Sequence, residues 1–448
     1  HGAQTLAHQR LDHAALFASI TNASVSLTAA NVHAEMAAAR LSARSPRPGP
    51  VHIACVGDVC SQNAGSKDPA SEEPRSQHTL ASNAGSKRSA SEETGRQHTL
   101  SSEAGSLDPA HTSRRPLLLV GLGARRPEDA AAIRSLCERL RIPAMVTYKA
   151  KGVVPDDHPW FAGVFTNASI EQPLMNEADL LIGVGLDPVE LLPRPWKHKQ
   201  PIIYAGPWTV EHKHVPFAEQ RVAPLPGCLA SIERHLTTSS WDAGAVRAFV
   251  NVQLQAVSIA TAGLSAQRVV ELAAARFART SRVTVDAGAH MLAATMLWPV
   301  TNPNDMLISN GLSTMGFALP AAIGAATADP ARTVVALTGD GGLLMCVGEL
   351  LTAVREKLRI ITIVFSDASL SLIEIKQQAR QLPAAGVDLG AIDWCALAAS
   401  FGVKAFAAKN EESLAAALDS AGECEGPSMI EAKIDRSNYG ATLRAIRG

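Results

Sequence analysis

The chain has 448 residues, 46% of them hydrophobic and 19% charged, which is enough apolar material for two or three cored domains and excludes disorder throughout. Lys plus Arg number 41 and Asp plus Glu 42, and a net charge of −1 argues against nucleic acid or an anionic membrane as the main partner. No run approaches the ~18 uninterrupted apolar residues of a membrane span. The 7 cysteines are scattered and form no C-x-x-C, so a reduced, cytoplasmic protein is expected rather than a disulfide framework or a zinc site. Residue 1 is His and no signal-peptide layout follows, which suggests a processed or truncated start.

Residues 1–60 hold a helical stretch from Ala30 to Ala43 and a short apolar strand entered through Arg47-Pro-Gly-Pro-Val-His-Ile53. Sixty residues with one strand make a poor independent domain and read as the end of a larger one. In 61–113, Asn63-Ala-Gly-Ser-Lys67 returns 20 residues on as Asn83-Ala-Gly-Ser-Lys87, and Gln77-His-Thr-Leu80 as Gln97-His-Thr-Leu100. Solenoid repeats carry several apolar positions each, and these carry almost none, so a disordered linker is predicted.

Beyond it, Pro116–Val120 reads as a buried strand running into the Gly121-x-Gly123 turn. A helix over Pro127–Leu140 follows, then strands near Ala144–Thr147, Asp179–Gly185 and Pro201–Ala205. This alternation predicts a parallel α/β domain over 114–236, joined by a connector at 237–262 to a second one over 263–446. There, Val283–Asp286, Thr333–Thr338 and Ile360–Phe365 are the predicted strands, and a single helix is expected over Leu343–Leu358 with a stripe of Leu344, Val347, Leu351, Val354 and Leu358.

The chemistry sits in Thr338-Gly-Asp-Gly-Gly342 and Phe365-Ser-Asp-Ala-Ser-Leu370. Asp340 and Asp367 are 27 residues apart, the length of a βαβ unit, which brings both carboxylates to the carboxyl edge of neighbouring parallel strands. Gly339, Gly341 and Gly342 let the backbone approach an anion, and the following helix turns its positive end to the same place. Two carboxylates beside a phosphate-binding helix end suggest a hard cation such as Mg²⁺ bridging protein and phosphate ester. The plainer alternative is a tight turn, with Asp367 capping the next helix.

The Gly339-Asp340-Gly341 start and the polar pair Ser366-Asp367 resemble the motif of the thiamine-diphosphate-dependent enzymes, which closes with two asparagines. Asp286-Ala-Gly-Ala-His290 and Asn310-Gly-Leu-Ser-Thr-Met-Gly-Phe-Ala-Leu-Pro320 resemble the acetolactate-synthase-like branch. Lys149-Ala-Lys-Gly152 with His158, Arg47-Pro-Gly-Pro50 and Asp393-Trp-Cys395 are similar to that branch's remaining segments, in the same order. The resemblance implies parallel-sheet, three-layer α/β domains: a Rossmann-like central domain and a thiamine-diphosphate-binding domain. It implies thiamine diphosphate and Mg²⁺ as cofactors, a small 2-oxo acid as substrate and a homo-oligomer. Asp340, Asp367 and the Ser369 carbonyl would be the metal ligands. His290, Gly339, Gly341 and Gly342 would meet the diphosphate, Met315 would be the apolar wedge beneath the cofactor, and Leu312 and Leu370 complete the binding set. The plain alternatives are core packing for Met315 and an exposed loop position for His290.

Two departures stand out. Asp367 replaces an asparagine, adding charge near the diphosphate. The glutamate that activates the cofactor in this family has no visible counterpart, because Glu35, the one glutamate before the linker, falls in the wrong place. Decarboxylation or carboligation is therefore expected beside an alternative, a catalytically incomplete cofactor-binding remnant; a simple 2-oxo acid decarboxylase is a further option. Gly121-x-Gly123 is a weak nucleotide signal, since Arg126 stands where a third glycine belongs.

Overall fold

The computed structural model describes residues 17–28, 30–55, 112–192, 194–210, 215–309 and 313–448. The repeat segment lies outside these except for Thr112 and Ser113, and so do His78, His98, His111 and Leu312. The chain divides into two units, His1–Leu107 and Asp108–Gly448.

In the first unit, β1 (Ala23–Leu27) and β2 (Val51–Cys55) pair in parallel on either side of the helix Val32–Ala43. The sequence reading expects one strand here. β1 escapes it because Ala-Ser-Val-Ser-Leu is short and carries two serines, and only Leu27 of the strand is buried.

The second unit contains two six-stranded, all-parallel sheets. The first is built from β3 (Pro116–Val120), β4 (Ala144–Val146), β5 (Phe161–Val164), β6 (Leu180–Val184), β7 (Ile202–Gly206) and β8 (Glu219–Val222), in the order β5-β4-β3-β6-β7-β8. That is a doubly wound, Rossmann-like order with its switch point between β3 and β6. Strands β3, β6 and β7 are buried along their whole length, which explains their continuous apolar runs. Pro127 starts the helix Pro127–Leu140 at its first turn, where a missing N–H costs nothing. The connector 237–262 carries the helix Ala243–Val257, which buries Val246, Val250 and Val257.

The second sheet comprises β9 (Arg282–Val285), β10 (Met306–Ile308), β11 (Val334–Gly339), β12 (Ile360–Ser366), β13 (Lys404–Ala408) and β14 (Ser428–Lys433). Their order, β10-β9-β11-β12-β14-β13, puts the switch point between β9 and β11. The expected helix over 343–358 is instead two short ones, Asp340–Leu344 and Glu349–Arg355. Between them the amides of Met345, Cys346 and Glu349 bond three residues back, a tighter winding consistent with the poor helix propensity of Gly341, Gly342 and Gly348. The break rotates the stripe. Leu343, Leu350 and Ala353 are buried, whereas the expected Leu344 and Leu351 are exposed.

The two sheets meet at a polar seam. The Arg134 guanidinium donates to the carbonyls of Gly152 (2.6 Å), Val153 (2.7 Å) and Thr301 (3.2 Å). Lys151, fully buried, pairs with Asp156 at 2.7 Å, and Asp156 accepts from the Val300 amide at 3.0 Å. Gly152 has φ +85°, and a Cβ there would stand 2.1 Å from the Asn302 carbonyl oxygen. Gly152→Ala should therefore cost about 2–4 kcal/mol from left-handed strain plus the clash. Gly227→Ala, in open space within a helix, should be neutral or stabilising by up to about 1 kcal/mol. Urea midpoints of the two variants test the contrast; equal shifts would refute it.

Candidate active site

β11 and β12 pair with Gly339 opposite Phe365, so the residues that follow both strands leave the sheet at the same edge. Asp340 begins a helix immediately after β11 and is 3% exposed. Its Oδ1 accepts from the Gly341 amide (2.8 Å), and its Oδ2 accepts from the amides of Asp367 (3.1 Å) and Ala368 (2.7 Å). Asp367 in turn accepts from the Ser369 amide (3.0 Å) at Oδ1 and from the Ser371 hydroxyl (2.7 Å) at Oδ2. Asp367 thus holds the Ser371 side chain at the start of the next helix, Ser371–Ala379, but does not cap that helix's backbone as the plainer sequence reading has it, and its amide bonds Asp340.

Burial raises the pKa of both carboxyls. Asp367 is pushed up to about 6, first by desolvation and then by the negative charge of Asp340. Tyr439 is raised well above its ordinary value, mainly by burial and then by the same two carboxylates. The edge therefore carries excess negative charge that a cation would relieve. Two carboxylates is also the limit, because no group of three or more His, Cys, Asp or Glu suited to a metal occurs among the described residues. Any further ligand has to be an uncharged oxygen, such as a backbone carbonyl or water.

His290 is not an exposed loop residue. It opens the helix His290–Leu297, is 2% exposed and stacks on Phe365 with ring centroids 4.8 Å apart. Burial drives its pKa down to about 4, against smaller upward effects from Asp286 and from a hydrogen bond to the Leu337 backbone. The imidazole is thus neutral near pH 7, and its Nε2 is buried with no hydrogen-bond partner.

These residues line one cavity of about 260 Å³ together with Ser313, Met315, Gly339, Gly341, Gly342 and Ser369. Leu370, Leu372 and Ile373 supply an apolar wall. A Cβ on Gly341 would stand 2.3 Å from the Leu370 side chain and 3.2 Å from Met315 Cε, so glycine is needed to keep the cradle open. Of the sequence candidates, only Leu312 lies outside the described residues. Sequence reasoning missed Phe365, Ser371, Lys376, Tyr439 and Arg447, which also line the cavity. Only Ser371 had a local signal, its position four residues after Asp367.

The features present fit a diphosphate with its cation: an orphaned imidazole nitrogen, an open glycine cradle and two crowded carboxylates. The Gly121-x-Gly123 turn does not offer the same. The Leu122 amide donates to Glu190 Oε2 (2.8 Å), the Gly123 amide donates to the Gly185 carbonyl (2.9 Å), and Trp208 packs 3.2 Å from where a Gly123 Cβ would stand. Protein groups fill that crevice.

A family model described as thiamine pyrophosphate enzyme, C-terminal TPP binding domain, matches residues 286–432, and one described as thiamine pyrophosphate enzyme, central domain, matches 111–211. An acetolactate synthase of Bacillus subtilis (strain 168) is 29% identical over 349 residues, covering 73% of this chain and 60% of the relative. A catabolic acetolactate synthase of Raoultella terrigena is 28% identical over 447 residues, covering 96% and 76%. A pyruvate oxidase of Lactiplantibacillus plantarum is 28% identical over 319 residues, covering 67% and 52%. The chain spans less than two thirds of the first and third of these proteins.

The His290 pKa sets a pH dependence. Its folded value lies below the ordinary 6.5, so the unfolded chain binds the proton first as pH falls. Stability from this group is complete above about pH 6.5 and is lost progressively toward pH 4, by about 3 kcal/mol in all. Unfolding free energies of wild type and His290→Gln, measured across that window, should differ in slope. Parallel curves would contradict a buried neutral imidazole.

Proposed function

We propose that this chain, which belongs to the thiamine pyrophosphate enzyme family through its central and C-terminal domains, binds thiamine diphosphate with Mg²⁺ for acetolactate-synthase-like decarboxylation and carboligation of 2-oxo acids. The observation that carries the reading is the Asp340–Asp367 pair, the first carboxylate buried and the second half-buried, on the wall of the cavity that the glycine cradle lines.

In this reading the side chains of Asp340 and Asp367 and the Ser369 carbonyl hold Mg²⁺, whose charge removes their mutual repulsion. The amides of Gly341 and Gly342 and the orphaned Nε2 of His290 receive the diphosphate. A neutral imidazole carries one N–H, so His290 donates to the diphosphate from Nε2 only in the tautomer that gives up its hydrogen bond to the Leu337 backbone. Met315 supports the cofactor from below, and Leu370, Leu372 and Ile373 keep water from the reacting side. When bound, the cofactor supplies the electron sink for the pair released as a 2-oxo acid loses CO₂. The protein is assigned to the cytoplasm as a homo-oligomer. Free thiols at Cys137, Cys228, Cys346, Cys395 and Cys424 suit a reducing compartment, and no helix among the described residues is long and apolar enough to cross a membrane.

A second reading has its own support: among the described residues no glutamate lines the cavity that holds Asp340, Asp367 and His290. Under it the chain binds the Mg²⁺-diphosphate but does not turn over by itself. Calorimetry with thiamine diphosphate decides the shared part. Binding should require Mg²⁺, be abolished by EDTA, and depend on Mg²⁺ more steeply in wild type than in Asp367→Asn, whose amide carries no charge to neutralise. Identical metal titrations would count against Asp367 as a ligand, and absence of binding would sink both readings. Pyruvate turnover by this chain alone would reject the second reading.

A further inference from the structure

Asp286 has no role in the cofactor contacts proposed above, yet its carboxylate is wholly buried at the end of β9 and fully engaged. Oδ2 accepts from the Gly316 amide (3.0 Å) and the Thr338 hydroxyl (2.9 Å). Oδ1 accepts from the amides of Phe317 (2.9 Å) and Ala287 (3.2 Å). Two of these donors are consecutive amides of the loop that carries Met315. Phe317 also caps the helix Ala318–Ala328, so the carboxylate sits at the positive end of an eleven-residue helix.

The loop is not self-supporting. Ser313 at φ 48° and Gly316 at φ 73° both lie in the left-handed region, which is costly for the serine. Thr338, the other anchor of the carboxylate, is the residue before Gly339 on β11. A Cβ on Gly342 would stand 2.0 Å from Asp286 Oδ2, so the cradle and the carboxylate are fitted to each other. Between them, Met315 Cε reaches to 3.2 Å from where a Gly341 Cβ would be.

From this geometry we infer that Asp286 is the positioning residue for Met315. It clamps the 313–317 loop to the end of β11 and so sets where the apolar side chain stands over the cradle. The purpose of that placement rests on the cofactor reading, whereas the clamp itself can be tested without cofactor.

Asp286→Asn in the full chain keeps the size but turns one acceptor into a donor facing N–H and O–H donors. In the cofactor-free protein, amide exchange across 314–317 should rise at least tenfold, with exchange in β12 unchanged. Affinity for thiamine diphosphate with Mg²⁺ should fall at least tenfold, while affinity for inorganic pyrophosphate with Mg²⁺ stays within twofold. Unchanged exchange at 314–317 overturns the clamp. Equal losses for the two ligands overturn the assignment to Met315, because general support of the site would weaken both. If wild type takes up no thiamine diphosphate and the variant still exchanges faster, the clamp stands and the cofactor reading alone fails. Should Asp286→Asn not fold, Thr338→Val removes one donor and leaves the loop amides paired. It should raise exchange about threefold, and no rise would overturn the clamp.

Discussion

Two carboxylates that parallel pairing forces to one sheet edge are the constraint on which the site depends. Because Gly339 stands opposite Phe365, Asp340 and Asp367 leave the sheet side by side, and with Asp340 buried and Asp367 half-buried water screens their repulsion only in part. The protein meets the cost in part with amides: those of Gly341, Asp367 and Ala368 on Asp340, and that of Ser369 on Asp367. The upward displacement of both pKa values means these bonds do not outweigh desolvation. An arrangement that stores unfavourable charge against the needs of folding is the kind that sites for cations and anions retain.

The two switch points of the second unit show how one topology serves different ends. Between β9 and β11 the edge stays open, lined by glycines and by residues with unused hydrogen-bonding capacity. Between β3 and β6 the corresponding glycine turn is closed by Glu190, the Gly185 carbonyl and Trp208. Glu190 is itself held by the Thr147 hydroxyl at 2.6 Å, and burial pushes its pKa up to about 7. The first sheet thus uses its crevice for internal packing, and the seam of Arg134, Lys151 and Asp156 joins it to the second sheet as one body.

Much of this was legible in the sequence wherever the signal is local. Fully buried parallel strands such as Pro116–Val120 and Leu180–Val184 are unbroken apolar runs, and Pro127 marks a helix start to the residue. The carboxylate pair is readable because βαβ geometry links spacing to place. What stays hidden depends on distant partners. The burial of His290 comes from Phe365, which follows it by 75 positions, and the amide donors that satisfy Asp286 come from residues 316 and 317. The helix break at 345–348 is missed because an apolar stripe at steps of three and four survives in the sequence even where glycines stop the winding. Strand β1 is lost for the opposite reason: its alternation of apolar and serine positions spans only five residues, and only one of them is buried.

The uncharged state of His290 has a physiological corollary. With its imidazole silent from mild acidity upward, the only basic side chains on the cavity wall among the described residues are Lys376 and Arg447. On the cofactor reading, a polyanionic guest lodged in the cradle brings charge that this wall, with its two carboxylates, does not balance, and an inorganic counter-ion would travel with it. Occupancy would, on that same reading, follow the supply of free divalent ion and would fall as pH drops toward the Asp367 pKa of about 6, where that carboxylate takes up a proton.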